Sequence, residues 1–153
     1  MNDPDLTIRP AAAADVDQLV AFQQAMAAET EDKGLDPERL RAGIAYLIDH
    51  PEEGFYLIAE RNGESAGSLM VTFEWSDWRN GRFWWIQSVY VCVEHRRTGV
   101  YSALHDAIRS RALADPEGCG IRLYVEQENT RAQATYAHLG MIETHYRLYE
   151  EEF

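Results

Sequence analysis

The spacing of apolar residues along the chain switches repeatedly between the two-residue period of a strand and the longer period of a helix. Six segments are predicted as strands: 6–9, 55–60, 65–73, 83–93, 121–126 and 142–149. Four helices are predicted, beginning at Asp15, Asp36, Gly99 and Thr130. The order is β-α-α-β-β-β-α-β-α-β, which predicts an α/β fold with a mixed central sheet and helices on both faces.

Local signals mark the starts and turns of these elements. Two capping boxes are predicted, at Asp15 with Gln18 and at Thr130 with Gln133. Asp36-Pro37 combines a cap residue with a first-turn proline. Asn62-Gly63 is the strongest short hairpin signal in the chain, so the second and third strands are expected to pair directly.

The segment 83–93, FWWIQSVYVCV, is aromatic or β-branched at almost every position. Apolar side chains on both faces are typical of a central strand that is covered on each side. The segment runs through a basic turn into a helix, and α/β folds bind ligands at such a junction. This junction is therefore the first place to look for chemistry.

Charge limits the classes of partner. Asp and Glu number 26 against 14 Lys and Arg, so the formal net charge is −12. An acidic field repels phosphate backbones, which argues against a nucleic-acid partner, and it attracts cationic small molecules. The length of 153 residues predicts one domain over 1–153.

Other partner classes are disfavoured by what the sequence lacks. No stretch approaches the roughly eighteen apolar residues of a membrane span, and no apolar export signal is visible. Cys92 and Cys119 have neither metal-ligand nor redox spacing, and the five histidines are scattered. These features favour a cytoplasmic protein with no membrane partner and no metal.

The turn after the fourth strand is a candidate anion site. It reads EHRRTGVYS over 94–102, and a helix N-terminus offers backbone N–H groups to an anion. Gly99 permits a close approach, while Arg96 and Arg97 supply positive charge. An ordinary turn with solvated arginines explains the same residues, so this segment alone leaves anion binding open.

A second polar turn precedes the fourth helix and places Asn129 and Tyr136 about two helical turns apart. On the residues alone, Asn129 is a turn or cap residue, and Tyr136 is more simply explained by packing beside Ala132 and Leu139.

Taken together, the two turns resemble the GNAT superfamily of N-acetyltransferases, and the resemblance covers essentially the whole chain. The family's acyl-coenzyme A motif is Gln or Arg, two residues, Gly, one residue, then Gly or Ala. Arg96, Gly99 and Val100 match it, whereas Tyr101 stands where a small residue is expected. The later family pattern, Asn-x2-Ala-x3-Tyr-x3-Gly-Phe, is met by Asn129, Ala132, Tyr136 and Gly140, with Met141 replacing Phe.

The resemblance implies a GNAT-like sheet in which the fourth strand splays from its parallel neighbour and acetyl-coenzyme A enters the gap. The residues implied to bind this cosubstrate are Val91, Val93, Arg96, Arg97, Thr98, Gly99, Val100, Tyr101, Ser102 and Asn129.

The chemistry implied by the resemblance is direct attack of an amine on the acetyl thioester. Tyr136 would protonate the leaving thiolate, and the N–H of Val91 would stabilise the oxyanion. Polyamine-type relatives often carry a carboxylate near Gln87 and Ser88, and this chain has none there. Gln87 can orient a water but cannot accept its proton. Candidate bases elsewhere are Glu126, Glu29 and Glu74, although each is more simply a solvated carboxylate.

The resemblance also implies that the acceptor side is built by the first two helices, the loop between them and the loop before the fourth strand. Five residues there suit a cationic amine through charge and cation–π contact: Glu29, Glu31, Trp75, Asp77 and Trp78. A solvated acidic loop with packed aromatic residues explains them equally well.

The resulting hypothesis is an acetyl-coenzyme A-dependent N-acetyltransferase for a small cationic amine of polyamine or aminoglycoside type. Two alternatives remain: a peptide or protein N-terminal acetyltransferase, and a non-catalytic acyl-coenzyme A-binding module. The sequence does not determine the oligomeric state, and the aromatic-rich sheet leaves a homodimer open.

Overall fold

The computed structural model describes residues 3–153 and divides the chain into two units, one ending at Leu123 and one spanning Tyr124–Phe153. The strands are β1 (Leu6–Pro10), β2 (Gly54–Arg61), β3 (Glu64–Ser76), β4 (Gly81–Val91) and β5 (Gly118–Arg122). The helices are α1 (Val16–Glu31), α2 (Pro37–Asp49), α3 (Val100–Ala114) and, in the second unit, α4 (Thr130–His138). Among these described residues, no helix is both long enough and apolar enough to cross a membrane.

One mixed sheet in the order β1-β2-β3-β4-β5 organises the first unit. The first four strands are antiparallel neighbours, and β5 lies parallel to β4. The predicted hairpin between β2 and β3 is confirmed: Asn62 and Gly63 have φ values of 53° and 80°, the left-handed conformation that a two-residue turn of this kind requires. The strand predicted over 83–93 is an interior strand, as its apolar residues on both faces indicated.

Helices cover both faces of this sheet, as predicted. Alternate residues of β2 point to opposite faces, with Leu57 and Ala59 in one core and Tyr56 and Ile58 in the other. The first core is completed by α3 through Val100, Leu104 and Ile108. The second core is completed by α1 and α2 through Leu19, Val20, Ile44 and Leu47.

The predicted helix starts are partly correct. Asp36 caps α2 by accepting hydrogen bonds from the N–H groups of Glu38 and Arg39. The box predicted at Asp15 is wrong, because a 3-10 turn (Ala13–Asp15) precedes α1 and the Asp15 carboxylate accepts from the N–H of Ala12 at 2.7 Å. The box predicted at Thr130 is also wrong, since Asn129 is the cap and accepts from the N–H of Ala132 at 3.1 Å.

The fifth strand was predicted about three residues too late, because its two glycines are poor strand formers in sequence. Gly120 is required by packing: a Cβ there would lie 2.7 Å from Cε1 of Phe83 on the neighbouring strand. Tyr124 and Val125, which have high strand propensity, extended the predicted strand beyond Arg122.

The strand predicted over 142–149 is wrong. Residues 141–153 form no strand, and Ile142 and Tyr149 are exposed by 86% and 90%. Within the described second unit, no other strand lies alongside to accept their backbone hydrogen bonds. The loose alternation of apolar residues in this segment therefore reflects no buried face.

Ser68 on β3 offers a test of the packing. Its side chain is completely buried, and its Oγ has no hydrogen-bond partner among the described residues. A buried hydroxyl without a partner costs about 1 kcal/mol or more. We expect Ser68→Ala to raise the free energy of unfolding by about 1 kcal/mol in urea denaturation. A loss of stability of similar size would show that the hydroxyl is hydrogen-bonded.

Candidate functional site

A β-bulge interrupts β4 in the middle of the sheet. Tyr90 pairs with Ser68 and Gln87 pairs with Met70, so two residues of β4 face one residue of β3. Ser88 lies in this bulge with φ at 52°, the left-handed region that a serine rarely adopts. Its carbonyl accepts a hydrogen bond at 3.3 Å from Nε2 of Gln23, a buried polar side chain of α1.

The bulge changes which residues face which helix. Before it, Trp84 and Ile86 belong to the core beneath α3, and after it Val89 and Val91 pack against that same core. The extra residue has shifted the alternation by one position. As a result, both halves of the strand remain anchored to α3 while the backbone bends between them.

The parallel strand β5 pairs with only the first half of β4. The register with β5 ends at Trp85 and Arg122, so residues 86–91 have no ladder on that edge. The N–H of Cys92 donates to the carbonyl of Ala66 on the other side. Since successive residues of a strand point their backbone groups to opposite edges, Val91 directs its N–H and C=O toward the edge that β5 has left.

The chain then turns tightly into α3. A 3-10 turn (Val93–His95) follows β4, and Arg97 and Gly99 both have left-handed backbones, with φ at 62° and 86°. No side chain caps α3. A Cβ built on Gly99, the residue that precedes α3, would meet nothing within 4 Å, so the space beside this residue is open. The turn thus has the shape and polarity of an anion cradle.

Arg96 lies beside this cradle and is held by two acceptors. Its guanidinium donates to the carbonyl of Val91 at 3.0 Å and to the carboxylate of Glu29 at 2.6 Å. The pair with Glu29 raises the pKa of Arg96 further above its usual value. The hydroxyl of Tyr90 lies 3.5 Å from the other oxygen of Glu29, which joins the end of α1 to the end of β4.

Tyr101, in the first turn of α3, packs against the core beneath that helix. Its hydroxyl lies 3.2 Å from Nδ1 of His105, one helical turn later. Burial lowers the pKa of His105, which favours the neutral imidazole. Tyr101 stands where the acyl-coenzyme A motif has a small residue, and in this chain its large side chain contributes to packing.

The five residues predicted to bind an acceptor fall into two groups near opposite ends of β4. Glu29 is beside Tyr90, whereas Trp75 pairs with Arg82 at the other end of the strand. Eight residues separate these two strand positions, about 26 Å at ~3.3 Å per residue. The structure does not bring Glu29 and Glu31 together with Trp75, Asp77 and Trp78, although all five are solvent-accessible.

Two polar candidates near the strand have partners within the sheet. Nε2 of Gln87 donates to Oγ1 of Thr72 on β3 at 2.5 Å. Glu74, one of the candidate bases, accepts from Arg122 at 2.5 Å, and that guanidinium also stacks on Phe83 at 3.6 Å from the ring centre. Because the Glu74 carboxylate is already bound to Arg122, Glu74 is disfavoured as the group that takes the proton of the amine.

In the second unit, the remaining candidates lie on α4 and the turn before it. The carbonyl of Glu126 accepts from the N–H of Asn129 and from Nε2 of Gln133, which shapes the turn, while the Glu126 side chain is exposed. Tyr136 is half-buried, and burial raises its pKa. Its phenol therefore stays protonated at neutral and mildly alkaline pH.

Comparison with known proteins identifies the family of this chain. The model of the Acetyltransferase (GNAT) family matches residues 19–141. The chain belongs to the GNAT family. A crystal structure of a possible acetyltransferase from Clostridium difficile 630 is 42% identical, with a TM-score of 0.89 and 97% of each chain covered. The protein is thus an acetyl-coenzyme A-dependent acyltransferase.

More distant structures share the GNAT fold. A predicted acetyltransferase from Clostridium acetobutylicum, solved with acetyl-CoA, is 18% identical with a TM-score of 0.79, covering 95% of this chain and 96% of that one. The aminoglycoside N-acetyltransferase AAC(6')-Iy, in complex with a bisubstrate analogue, is 16% identical with a TM-score of 0.78, covering 97% and 98%. No curated protein matches the chain significantly.

Sequence reasoning missed three residues of this GNAT chain that shape the site. Ser88 makes the bulge, Gln23 holds its carbonyl, and Arg61 binds the turn before α3. Of these three residues, only Gln23 could have been noticed in the sequence, because it is a polar residue at a position where the helical spacing of α1 places apolar side chains. Within residues 3–153, no three His, Cys, Asp or Glu side chains are grouped to hold a metal ion.

Proposed function

We propose that this GNAT acetyltransferase transfers the acetyl group of acetyl-coenzyme A to a primary amine of a small cationic molecule. The net charge of −12 favours a cationic acceptor over an anionic one. The fold shared with AAC(6')-Iy, an aminoglycoside N-acetyltransferase, supports an aminoglycoside as the acceptor, and a polyamine is the other cationic class that we propose.

The observation that carries the proposal is the junction of β4 and α3. An uncapped helix N-terminus, open space at Gly99 and a strand edge without its neighbour occur together there. We assign the pyrophosphate to the backbone N–H groups of the turn, in the segment 96–102, and the pantetheine arm to the open edge at Val91. Val93 lies in the 3-10 turn, and Asn129 caps α4. For these two residues, binding of coenzyme A is proposed from the family motif alone.

Acetyl-coenzyme A supplies the acetyl group as an activated thioester. The N–H of Val91 is proposed to donate to the thioester oxygen, where negative charge develops as the amine attacks. As the carbon–sulfur bond breaks, Tyr136 is proposed to give its proton to the departing sulfur. Its raised pKa suits this role because the phenol is protonated when the reaction begins.

The attacking amine must first lose a proton. Gln87 is proposed to orient a water beside the bulge, and exposed Glu126 to take the proton through water. In this scheme the proton of the amine passes through water, and no strong base lies beside the reacting atoms. The rate is therefore expected to rise above neutral pH as the free amine becomes more abundant.

For the acceptor, Glu29 and Glu31 are the better candidates, because Glu29 is beside Tyr90 and the open half of β4. Trp75 pairs with Arg82, which is about 26 Å along β4 from Tyr90 at ~3.3 Å per residue, and Asp77 and Trp78 follow in the next turn. These three residues therefore lie beyond the reach of a small amine held at Glu29. We therefore propose that the ammonium group is held at the end of α1.

This assignment predicts a specific dependence on salt. The Michaelis constant for the amine is expected to rise with ionic strength, and Glu29→Gln combined with Glu31→Gln should raise it about 10-fold. The constant for acetyl-coenzyme A should change less. Steady-state kinetics with a panel of polyamines, aminoglycosides and peptide N-termini measures both constants.

The matched control changes the same number of charges elsewhere. Glu151→Gln combined with Glu152→Gln, at two exposed positions near the C-terminus, should leave the Michaelis constant for the amine within about 2-fold. A neutral or anionic molecule as best acceptor, or an amine constant indifferent to salt, would refute the cationic-amine assignment. Binding of coenzyme A without turnover across the panel would favour a non-catalytic module.

A further inference from the structure

Arg61, the last residue of β2, makes a network of bonds that the proposed reaction has not used. One terminal nitrogen, Nη1, donates to Oγ1 of Thr98 at 2.6 Å, and the other, Nη2, donates to the carbonyl of Thr98 at 3.0 Å. Nη2 also donates to the carboxylate of Asp3 at 2.8 Å. The Arg61 side chain is 15% exposed, so it lies behind the turn rather than in solvent.

The bond to the Thr98 carbonyl has a consequence for the next residue. The carbonyl of Thr98 and the N–H of Gly99 belong to one planar trans peptide, in which the two groups point in opposite directions. Fixing the carbonyl on Arg61 therefore directs the Gly99 N–H away from Arg61. A Cβ built on Gly99 would meet no atom within 4 Å, so the surroundings of this residue are open.

The turn needs such an anchor because its backbone is strained. Arg97 has a φ of 62°, which costs a residue with a side chain about 1 kcal/mol or more. Thr98 is held from two directions, since its hydroxyl accepts from Arg61 and donates to the carbonyl of His95 at 2.5 Å. A planar guanidinium can grip the hydroxyl and the carbonyl of Thr98 together, whereas a lysine ammonium offers no such fork.

We propose that Arg61 is a positioning residue for the cosubstrate: it anchors Thr98 and so holds the Gly99 N–H in place to bind the pyrophosphate of coenzyme A. The inference rests on the proposed cosubstrate site at the β4–α3 junction. Arg61 acts from behind the turn through Thr98 and does not itself bind the phosphate.

The test uses Arg61→Lys, which keeps the charge but loses the fork. Calorimetry should show that the dissociation constant for coenzyme A rises about 10-fold in Arg61→Lys and more in Arg61→Ala. The Michaelis constant for acetyl-coenzyme A should rise in parallel, while kcat at saturation stays within about 2-fold because the reacting groups are untouched. Thr98→Val removes only the hydroxyl and should weaken coenzyme A binding about 3-fold, even if the Arg61 variants do not fold.

Two controls separate positioning from general stability. Arg9→Ala removes an arginine of β1 that is bonded just as densely, to Asp15 and Glu60, and should lower the melting temperature without changing coenzyme A affinity. Asp3→Asn removes the ion pair between Asp3 and Arg61 and keeps both hydrogen bonds from Arg61 to Thr98. The affinity for coenzyme A should therefore stay within about 2-fold of normal.

The outcomes distinguish the inference from the proposed site. Failure of the unaltered protein to bind coenzyme A would overturn the site itself. Normal binding by the unaltered protein, by Arg61→Lys and by Thr98→Val would overturn the positioning role alone. Normal binding by Arg61→Lys with weak binding by Arg61→Ala would show that charge suffices, which also contradicts positioning through the fork.

Discussion

Replacing Tyr136 with phenylalanine is expected to lower turnover by about 100-fold to 10,000-fold, the usual cost of removing one positioned proton donor. The ring and its packing are retained, so the change tests the hydroxyl alone. Because the phenol does not bind the cosubstrate in this scheme, the Michaelis constant for acetyl-coenzyme A should change little. Steady-state kinetics at saturating amine provides the measurement.

The pH profile adds a second readout. The raised pKa of Tyr136 keeps it protonated as the amine is deprotonated, so the unaltered enzyme should gain activity up to mildly alkaline pH. Tyr149→Phe is the matched control, since that side chain is 90% exposed and should leave turnover unchanged. Near-normal turnover in Tyr136→Phe would return Tyr136 to a packing role.

Gly99→Glu is expected to weaken coenzyme A binding by about 100-fold or more, because a carboxylate would stand where the pyrophosphate is proposed to lie. The left-handed backbone at Gly99 adds strain to any side chain there. Calorimetry with coenzyme A measures the loss, and circular dichroism establishes that the variant is folded.

The control for this change is Gly63→Glu. Gly63 also has a positive φ, of 80°, and open surroundings, but it lies in the hairpin turn between β2 and β3. Gly63→Glu introduces the same charge and a similar strain as Gly99→Glu. Because it lies away from the proposed pyrophosphate site, its affinity for coenzyme A should remain close to normal. Equal losses in the two variants would attribute the effect of Gly99→Glu to strain or net charge.

Some elements with a local chemical cause were predictable from the sequence, although the capping boxes predicted at Asp15 and Thr130 were not formed. The Asn62-Gly63 hairpin and the Asp36 cap depend on neighbouring residues only, and both are confirmed. The glycine within β5 is explained instead by how closely Phe83 approaches Gly120, a contact between residues far apart in the chain. The apolar residues of 142–149 show the converse error, since alternation without a neighbouring strand forms no strand.

The candidate site was predictable to a similar extent. The motif around Gly99 identified the uncapped helix start, because that feature lies within one short segment. The separation of Glu29 from Trp75 depends on the length and register of β4, which composition does not reveal. Ser88 was equally hidden, because the strand is apolar on both faces and a shift in alternation leaves no trace in the sequence.

The bulge at Ser88 also has a consequence for how β4 tolerates changes in length. Losing one residue from a regular strand exchanges its two faces along everything that follows. In β4 the two halves are already out of phase, and each is anchored to α3 by its own pair of apolar residues. Removing Ser88 would therefore leave Trp84, Ile86, Val89 and Val91 on one face of a regular strand, whereas removing a residue from either half would turn part of that half away from the core.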